Sequence, residues 1–329
     1  MMKPFDRFES PPRFSSVNAY LLSLICHYQY AETLGDIDRA DTRGFVEAYQ
    51  AKFSDWGMNR HQFYYLDQSK STQGFVMADE KRIFVGFRGS EVAAGWEHIV
   101  EDMLKTNTKA IFPLKVSEFA FKVDVRHLPD SMDPVVSPRV HRGFYEAYQE
   151  IRQQLIYSLE QVGILHGKEL YLTGHSLGGA IAILAAYDLT KNYGYKPDGI
   201  YTYGMPRVGF QPMGWRMDHD FRSFYNDRPY LDLYSRTFRM VNLQHPKTDG
   251  VVTLPPVTGL FQAFSGNYEH VGTLVHINPE HLEINAFEKV LGIPDFGIHS
   301  SVSYTNRLHR ILEKNGNLQD MPEPPPEEE

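Results

Sequence analysis

A serine between two glycines is the first feature of this chain that points to chemistry. Ser176 lies in the segment GHSLG, directly after the apolar stretch ELYLTG and directly before the apolar stretch GGAIAILAAY. This pattern is typical of a strand that turns sharply into a helix and exposes a nucleophilic serine. Gly174 and Gly178 would remove the Cβ atoms that collide in such a turn. The helix would direct its positive end, and the backbone N–H of Leu177, toward an oxyanion formed at the serine.

A serine hydroxyl becomes a good nucleophile only when a base removes its proton and an acid orients that base. In a strand–serine–helix arrangement of this kind, the acid and then the histidine follow the serine along the chain. On the residues alone, the candidates for the acid are Asp218, Asp220, Asp227, Asp232 and Asp249. The candidates for the base, all downstream of Asp249, are His270, His276, His281 and His299.

A second donor to the oxyanion is expected in a loop that follows an earlier strand. The stretch IFVGFRGSE predicts such a strand, and the residues after it are Arg88, Gly89 and Ser90. We therefore expect the backbone N–H of Ser90 to complete an oxyanion hole with that of Leu177.

Five short segments resemble the fungal-type (class 3) triacylglycerol lipase family. In chain order they are VGFRGS, VHRGFYEAY, GHSLGGA, YTYGMPRVG and HVG, and the resemblance covers roughly residues 70–305, most of the chain. They occur in the order in which the family has them. The resemblance implies an α/β-hydrolase-like fold and hydrolysis of acylglycerol esters, with no metal and no other cofactor.

The resemblance also narrows the choice of acid and base. Asp249 is followed by a Leu-Pro-Pro at the family's distance, which favours it over the reserve candidate Asp232. His299 resembles the family's His-x-x-Tyr close, although here Tyr304 follows it by five positions. His270 resembles the family's His-Val-Gly segment, which is a structural strand near the site and not the base.

The elements around the serine predict the fold that positions it. Apolar strands alternate with helices, and this alternation predicts a mostly parallel sheet flanked by helices. We expect one α/β-hydrolase-like domain over residues 1–317 and a disordered, acidic, Pro- and Glu-rich tail over residues 318–329. A long amphipathic helix is predicted in GFYEAYQEIRQQLIYSLEQVG, with one apolar face made of Phe144, Tyr148, Ile151, Leu155 and Leu159.

The segment directly after Ser90 carries an apolar stripe at helical spacing. Its members are Val92, Trp96, Ile99, Val100 and Met103. Such a stripe also fits a helix packed on the core. Because the corresponding segment of the resembling family is a mobile lid, we favour a lid that covers an acyl groove. A hinged amphipathic helix of this kind would turn its apolar face, with Trp96, toward a lipid surface.

Composition excludes several other classes of protein. The chain has 329 residues and a net charge of −8, so nothing in it resembles a basic nucleic-acid-binding protein. It has a single cysteine, Cys26, which excludes an internal disulfide. No apolar run reaches the length of about 18 residues that a membrane span needs, and the N-terminal stretch lacks the apolar core of a signal peptide. We expect a soluble protein, either cytoplasmic or exported without a cleavable signal.

These observations predict a serine carboxylic ester hydrolase that meets a lipid or other hydrophobic ester from the water side, through transient contact with a lipid–water interface. Our first hypothesis is a triacylglycerol lipase in which Ser176 attacks, His299 transfers the proton and Asp249 orients the histidine. A feruloyl esterase or a phospholipase A1 would use the same triad, because the acyl groove and not the triad separates these enzymes. A lipid-binding protein with an inactive site is the third alternative.

Overall fold

The computed structural model describes residues 3–10, 13–30, 42–64, 73–89, 139–211, 221–226, 232–254, 267–285, 292–319 and 321–326. The α-helices of these ranges are Ser16–His27 (α1), Thr42–Trp56 (α2), Arg142–Val162 (α3), Leu177–Tyr193 (α4), Phe221–Tyr225 (α5) and Ser301–Lys314 (α6). The strands are Arg60–Tyr64 (β1), Gly74–Ala78 (β2), Arg82–Phe87 (β3), Arg139–Val140 (β4), Glu169–His175 (β5), Gly199–Tyr203 (β6), Gly209–Gln211 (β7), Thr237–Gln244 (β8), Lys247–Asp249 (β9), Asn267–Glu269 (β10), Thr273–Ile277 (β11), Leu282–Asn285 (β12) and Ile293–Asp295 (β13). Within these ranges, no helix combines the length and the apolar character needed to cross a membrane.

A large sheet runs through the centre of the fold in the order β1-β2-β3-β5-β6-β8-β11-β12. From β3 to β11 all neighbouring strands are parallel, and antiparallel pairs occur only at the two ends of this path. The antiparallel hairpin of β2 and β3 lies at one of these ends, next to β1. Strands β9 and β13 extend the sheet beside β8, and β10, β7 and β4 form a second, smaller sheet. The predicted mostly parallel sheet flanked by helices is thus confirmed.

The two faces of the large sheet carry different side chains because successive residues of a strand point to opposite sides. In β5, Leu170 and Leu172 face the side covered by α3 and α4, where the core is mainly aliphatic. Tyr171, between them, faces the side covered by α1, α2 and α6, where aromatic rings dominate. Because both cores share one sheet, we propose that residues 1–317 form a single domain, as the sequence predicts.

The helices that flank the nucleophile's strand follow their sequence patterns. The predicted apolar face of α3 is confirmed, since its five members are at most 4% exposed. Helix α4 is buried at every position from Gly178 to Leu189, because it packs against the sheet on one side and α3 on another. This explains why its sequence is apolar on nearly every face over these residues, with the buried Asp188 as the charged exception.

The C-terminal segment, residues 318–329, is predicted from the sequence to be disordered. Its described part lies against the aromatic side of the fold. Leu318 and Met321 pack on that core, Pro325 is buried, and the Tyr20 hydroxyl donates a hydrogen bond to the Pro322 carbonyl at 2.6 Å. A proline-rich extended chain suits such a surface, since it has few backbone donors to satisfy and its rings supply apolar contact.

Candidate active site

Ser176 occupies a strained turn between β5 and α4. Its backbone has φ 55° and ψ −126°, a conformation that favours glycine over residues with a Cβ. A Cβ on Gly178 would lie 2.0 Å from the Phe87 carbonyl oxygen, and one on Gly174 would lie 2.2 Å from the backbone of Gly178. The two glycines are therefore required by close backbone packing. The sharp strand–serine–helix turn predicted from GHSLG is present.

Asp249 and His299 lie together next to this turn. The Nδ1 atom of His299 is 2.7 Å from Oδ2 of Asp249, and both side chains are 0% exposed. Because a carboxylate only accepts hydrogen bonds, Nδ1 carries the proton, and Nε2 of His299 is left as the basic nitrogen. The second oxygen of Asp249 accepts a hydrogen bond from the Val251 backbone N–H at 2.9 Å. The aspartate is thus fixed on both oxygens in a position that fixes the tautomer of the histidine.

Tyr304 is a further partner of Asp249 that the sequence analysis did not assign. Its hydroxyl donates to Oδ2 of Asp249 at 2.6 Å and accepts from the Asn242 backbone N–H at 3.1 Å. Burial, and then the nearby Asp249 carboxylate, raise the pKa of Tyr304 well above its usual value, so the hydroxyl keeps the proton that it donates. The spacing of five residues from His299 is accommodated because α6 begins at Ser301, which places Tyr304 in its first turn.

The remaining candidates for the acid lie elsewhere. Asp232 precedes β8, whereas Asp249 comes after it, so the two are at opposite ends of a strand that is about 26 Å long. Asp232 accepts a hydrogen bond from the Ser235 hydroxyl at 3.0 Å, in a surface turn. Asp218, Asp220 and Asp227 lie outside the described residues.

The other downstream histidines are not joined to Asp249 by any hydrogen bond of the described residues. His270 is bonded through Nε2 to the Val252 carbonyl at 2.8 Å, and burial holds its pKa well below the usual value. His276 lies within β11, where burial again lowers its pKa. His281 is exposed at the turn before β12. Of the four histidines, the described contacts bring only His299 to the aspartate.

His175, the residue before the nucleophile, connects the turn with the loop that carries His299. Its Nε2 lies 2.6 Å from the His299 carbonyl oxygen, and the centroids of the two rings are 4.5 Å apart. The Ser176 backbone N–H donates to the Tyr203 carbonyl at 2.9 Å, which ties the turn to β6. The serine, the histidine and the aspartate therefore meet at the carboxyl ends of β5, β6 and β8. Nothing in the sequence pattern indicated the contact between His175 and His299.

The predicted oxyanion hole and lid are described only in part. Leu177 is the first residue of α4, so its backbone N–H lies at the positive end of that helix. A Cβ on Gly89 would lie 3.2 Å from the Ser176 Cβ, which means that the chain passes the nucleophile one residue before Ser90. Ser90 itself and the stripe that was predicted to form a lid lie outside the described residues, and the stripe consists of Val92, Trp96, Ile99, Val100 and Met103.

Metal ligands are not clustered in the described part of the chain. Within it, no group of three or more histidine, cysteine, aspartate and glutamate side chains could hold a metal ion. The lone cysteine, Cys26, is buried against the Thr173 hydroxyl, with its Sγ atom 3.2 Å from Oγ1.

A mostly parallel sheet with a strained serine turn between β5 and α4 defines the α/β-hydrolase-like fold. The chain belongs to the class 3 lipase family, whose family model, Lipase (class 3), matches residues 84–256. The matched segment contains the serine turn, the strand β8 and Asp249.

Several known proteins are similar to this chain. It is 32% identical over 134 residues to a lipase of Rhizomucor miehei, a match that covers 40% of this chain and 30% of that protein. It is 31% identical over 176 residues to a secreted mono- and diacylglycerol lipase of Malassezia restricta, a match that covers 50% of this chain and 52% of that protein. The matches to these curated relatives thus span about half of their length or less. The solved structure of the Rhizomucor miehei lipase propeptide complex matches the fold with a TM-score of 0.50 at 21% identity, over 93% of this chain and 81% of that one.

Proposed function

We propose that this protein is a serine carboxylic ester hydrolase that cleaves acylglycerol esters, foremost triacylglycerols, through an acyl-enzyme on Ser176. The observation that carries the proposal is the 2.7 Å hydrogen bond between His299 and Asp249, buried beside the strained serine turn. A neutral imidazole whose Nδ1 proton is bound to a carboxylate presents Nε2 as its basic nitrogen, and that nitrogen can act as a general base. Membership of the class 3 lipase family supports the choice of ester chemistry.

In the proposed reaction, Oγ of Ser176 attacks the ester carbonyl carbon while Nε2 of His299 takes the hydroxyl proton. The carbonyl oxygen becomes an oxyanion, which accepts hydrogen bonds from the backbone N–H groups of Leu177 and Ser90. When the tetrahedral intermediate collapses, the bond to the alcohol breaks and His299 returns the proton to that alcohol. Asp249 stabilises the imidazolium that exists between these two transfers.

The second half of the reaction repeats these steps with water. His299 removes a proton from a water molecule, whose oxygen attacks the acyl carbon on Ser176. The intermediate then collapses, the bond to Oγ breaks, and His299 gives the proton back to the serine. The fatty acid leaves and the free enzyme is restored, so no external oxidant, reductant or cofactor enters the balance.

Covalent labelling with a fluorophosphonate tests the role of the serine. We expect the wild-type protein to be labelled at Ser176 and the Ser176→Ala variant to be unlabelled. Ser158→Ala is a matched control, since Ser158 is also buried but its hydroxyl bonds the Gln154 carbonyl in α3. Labelling of this control should equal that of the wild type. A wild-type protein that is not labelled would overturn the hydrolase proposal and favour a lipid-binding protein with an inactive site.

A substrate panel tests the proposed substrate class. Emulsified triacylglycerol, phospholipid vesicles and a feruloyl ester would be supplied to the same enzyme preparation at matched ester concentrations. We expect the highest kcat/KM on the triacylglycerol. Faster hydrolysis of the phospholipid or of the feruloyl ester would move the proposal to a phospholipase A1 or to a feruloyl esterase, which would use the same triad.

A lid over residues 92–103 is part of the proposal, and its test is the ratio of two rates. If this segment shields an acyl groove, opening it exposes apolar area that a lipid surface covers again. We expect the rate on emulsified ester to rise relative to the rate on a short soluble ester, and Trp96→Ser to reduce that ratio. The soluble ester is the internal control. A wild-type ratio that does not respond to an interface would contradict the lid.

A further inference from the structure

The loop that carries His299 is held by two side chains that bind consecutive carbonyl groups. Nδ2 of Asn242 donates to the Ile298 carbonyl at 2.9 Å, and Nε2 of His175 donates to the His299 carbonyl at 2.6 Å. Asn242 lies in β8, whereas His175 ends β5 and directly precedes the nucleophile. The loop is therefore tied to β8, the strand before that of Asp249, by one side chain and to the turn of the nucleophile by the other.

The contacts of His175 determine which of its ring nitrogens carries the proton. A carbonyl oxygen only accepts, so Nε2, which faces the His299 carbonyl, must be protonated. In a neutral ring Nδ1 is then an acceptor, and the hydroxyl of Tyr30 lies 2.9 Å from it. Tyr30 therefore donates to Nδ1, and this bond selects the tautomer that presents a donor to the loop.

The environment of His175 favours this neutral form. Burial, and then the nearby His299 imidazole, hold the pKa of His175 well below its usual value of 6.5. The side chain is 3% exposed, and the ring of Tyr30 meets it edge-on at a centroid distance of 6.2 Å. The ring is thus fixed by a hydrogen bond on each nitrogen and by an aromatic contact.

We propose that Tyr30 and His175 are positioning residues that set the distance between the nucleophile and the base. The side chain of His175 reaches the backbone of His299, while its own backbone leads directly into Ser176. One hydrogen bond, oriented by Tyr30, thereby links the two groups between which a proton must pass. This inference rests on the proposed hydrolase function, and it adds two residues that lie outside the triad and the oxyanion hole.

Four variants test the proposal. Asn at position 175 is too short to reach the His299 carbonyl, whereas Gln places an amide donor near the position of Nε2. His175→Asn should therefore lower kcat on a soluble ester about 100-fold, because a misplacement near 1 Å costs about that factor. His175→Gln should stay within about tenfold of the wild type, and Tyr30→Phe should lower kcat about tenfold. KM should change less than about twofold in each variant, since the interaction does not involve the substrate.

Tyr20→Phe is the matched control. This substitution also removes a tyrosine hydroxyl from the N-terminal helical region, but the lost bond is to the Pro322 carbonyl of the C-terminal segment and not to a residue of the site. Its kcat should equal that of the wild type. Wild-type kcat in both His175→Asn and Tyr30→Phe would overturn the proposal. So would a His175→Gln variant as impaired as His175→Asn, because the missing donor would then not be the cause.

A proton NMR measurement separates this proposal from the hydrolase proposal. The far-downfield resonance of the proton between His299 and Asp249 should be present in the wild type and in His175→Gln. It should be lost or broadened in His175→Asn, because the base is no longer held. An unchanged resonance in all variants would overturn the positioning role. A protein that keeps this behaviour but is not labelled by a fluorophosphonate would overturn only the proposed function.

Discussion

Asp249 and Asp188 are both buried, and each accepts a hydrogen bond from a tyrosine hydroxyl, but the basic group beside them differs. Asp249 faces the imidazole of His299, with 2.7 Å between the paired atoms. Asp188 faces the guanidinium of Arg152, also at 2.7 Å. The Asp249–His299 pair and the Asp188–Arg152 pair therefore have similar distances and similar burial, but their basic groups differ in chemistry.

The Asp188 pair joins two helices. Arg152 of α3 binds Asp188 of α4 through two nitrogens, with Nε at 2.7 Å and Nη2 at 3.1 Å from the carboxylate oxygens. The Tyr148 hydroxyl, one helical turn away from Arg152, donates to the same carboxylate at 2.5 Å. The two contacts form a bidentate salt bridge between the planar guanidinium and the carboxylate, and this salt bridge fixes how α3 and α4 pack.

The comparison separates a structural pair from a pair that is suited to catalysis. A guanidinium keeps its proton at every pH at which proteins function, so the Arg152 pair can only hold its two helices together. An imidazole can accept a proton on one ring nitrogen and release it again, so the His299 pair can serve proton transfer within one reaction cycle. We therefore expect substitutions at the two sites to separate activity from stability.

The largest expected effect is on the reaction rate. Asp249→Asn should lower kcat/KM on a soluble ester about 10⁴-fold, because the amide keeps the shape but no longer fixes the proton on Nδ1 of His299. Asp188→Asn is the matched change at the other site. The kcat/KM of the folded Asp188→Asn protein should fall by less than about tenfold. The measurement is initial hydrolysis rate per mole of folded enzyme. Equal losses at the two sites would remove the distinction between them.

The next effect is on the free energy of unfolding. Arg152→Met leaves the Asp188 carboxylate buried without its cation, which should cost about 3 kcal/mol, the lower end for such pairs because Arg152 is 21% exposed. Guanidinium chloride unfolding would measure the loss. Arg152→Lys keeps the charge but not the bidentate geometry, so it should lower the free energy of unfolding by less than Arg152→Met does. A folded Arg152→Met protein with a greatly reduced kcat would contradict a purely structural role.

The two tyrosines give a smaller and more exactly matched contrast. Tyr304→Phe and Tyr148→Phe each remove one hydroxyl that donates to a buried carboxylate, and each should lower the free energy of unfolding by about 1.5–3 kcal/mol. Only Tyr304→Phe should also lower kcat, by about tenfold, because Asp249 orients the base. Thermal unfolding and steady-state kinetics on the same preparations would test this. A kcat loss in Tyr148→Phe would count against the separation.

The smallest effect concerns pH. The pKa of His175 is held well below 6.5 in the folded protein by burial, whereas the unfolded chain binds a proton near that value. Below pH 6.5 the unfolded state therefore holds more protons, and stability falls as the pH falls. The contribution of His175 should be about 1.4 kcal/mol less favourable at pH 5.5 than above pH 7.5.

Comparing the wild type with His175→Gln by chemical unfolding at several pH values measures this contribution. The stability difference between the two proteins should shift by that amount in favour of the variant as the pH is lowered to 5.5. The loss caused by Arg152→Lys should change little over the same interval, since the guanidinium and the ammonium that replaces it both keep their protons. A pH-independent difference for His175→Gln would show that His175 does not resist protonation in the folded protein.

Local patterns carried most of what could be predicted from the sequence. The turn at Ser176 could be predicted because its glycines, its preceding strand and its following helix are adjacent in the chain. The face of α3 was readable because helical periodicity repeats within about 20 residues. The acid was harder, because its position depends on where β8 ends, and resemblance to a family was needed to choose Asp249 over Asp232.

Contacts between distant segments were not predictable in this way. His175 and Tyr30 are 145 positions apart, and no periodicity relates them. The bond from Tyr304 to Asp249 joins residues 55 positions apart and depends on where α6 begins. The contacts of the C-terminal segment could not be predicted either, because composition alone does not reveal that its prolines meet the aromatic side of the sheet.

The backbone of Ser176 has a consequence for how this chain can evolve. A residue with a Cβ at φ 55° and ψ −126° costs of order 1–3 kcal/mol, and glycine at the same place would avoid most of it. Selection for folding alone would therefore favour glycine at position 176. If the proposed reaction were no longer needed, Ser176→Gly would stabilise the fold and would also remove the nucleophile. On the proposed function, Ser176 is kept at a cost in stability, which is what selection for a reaction rather than for a fold would produce.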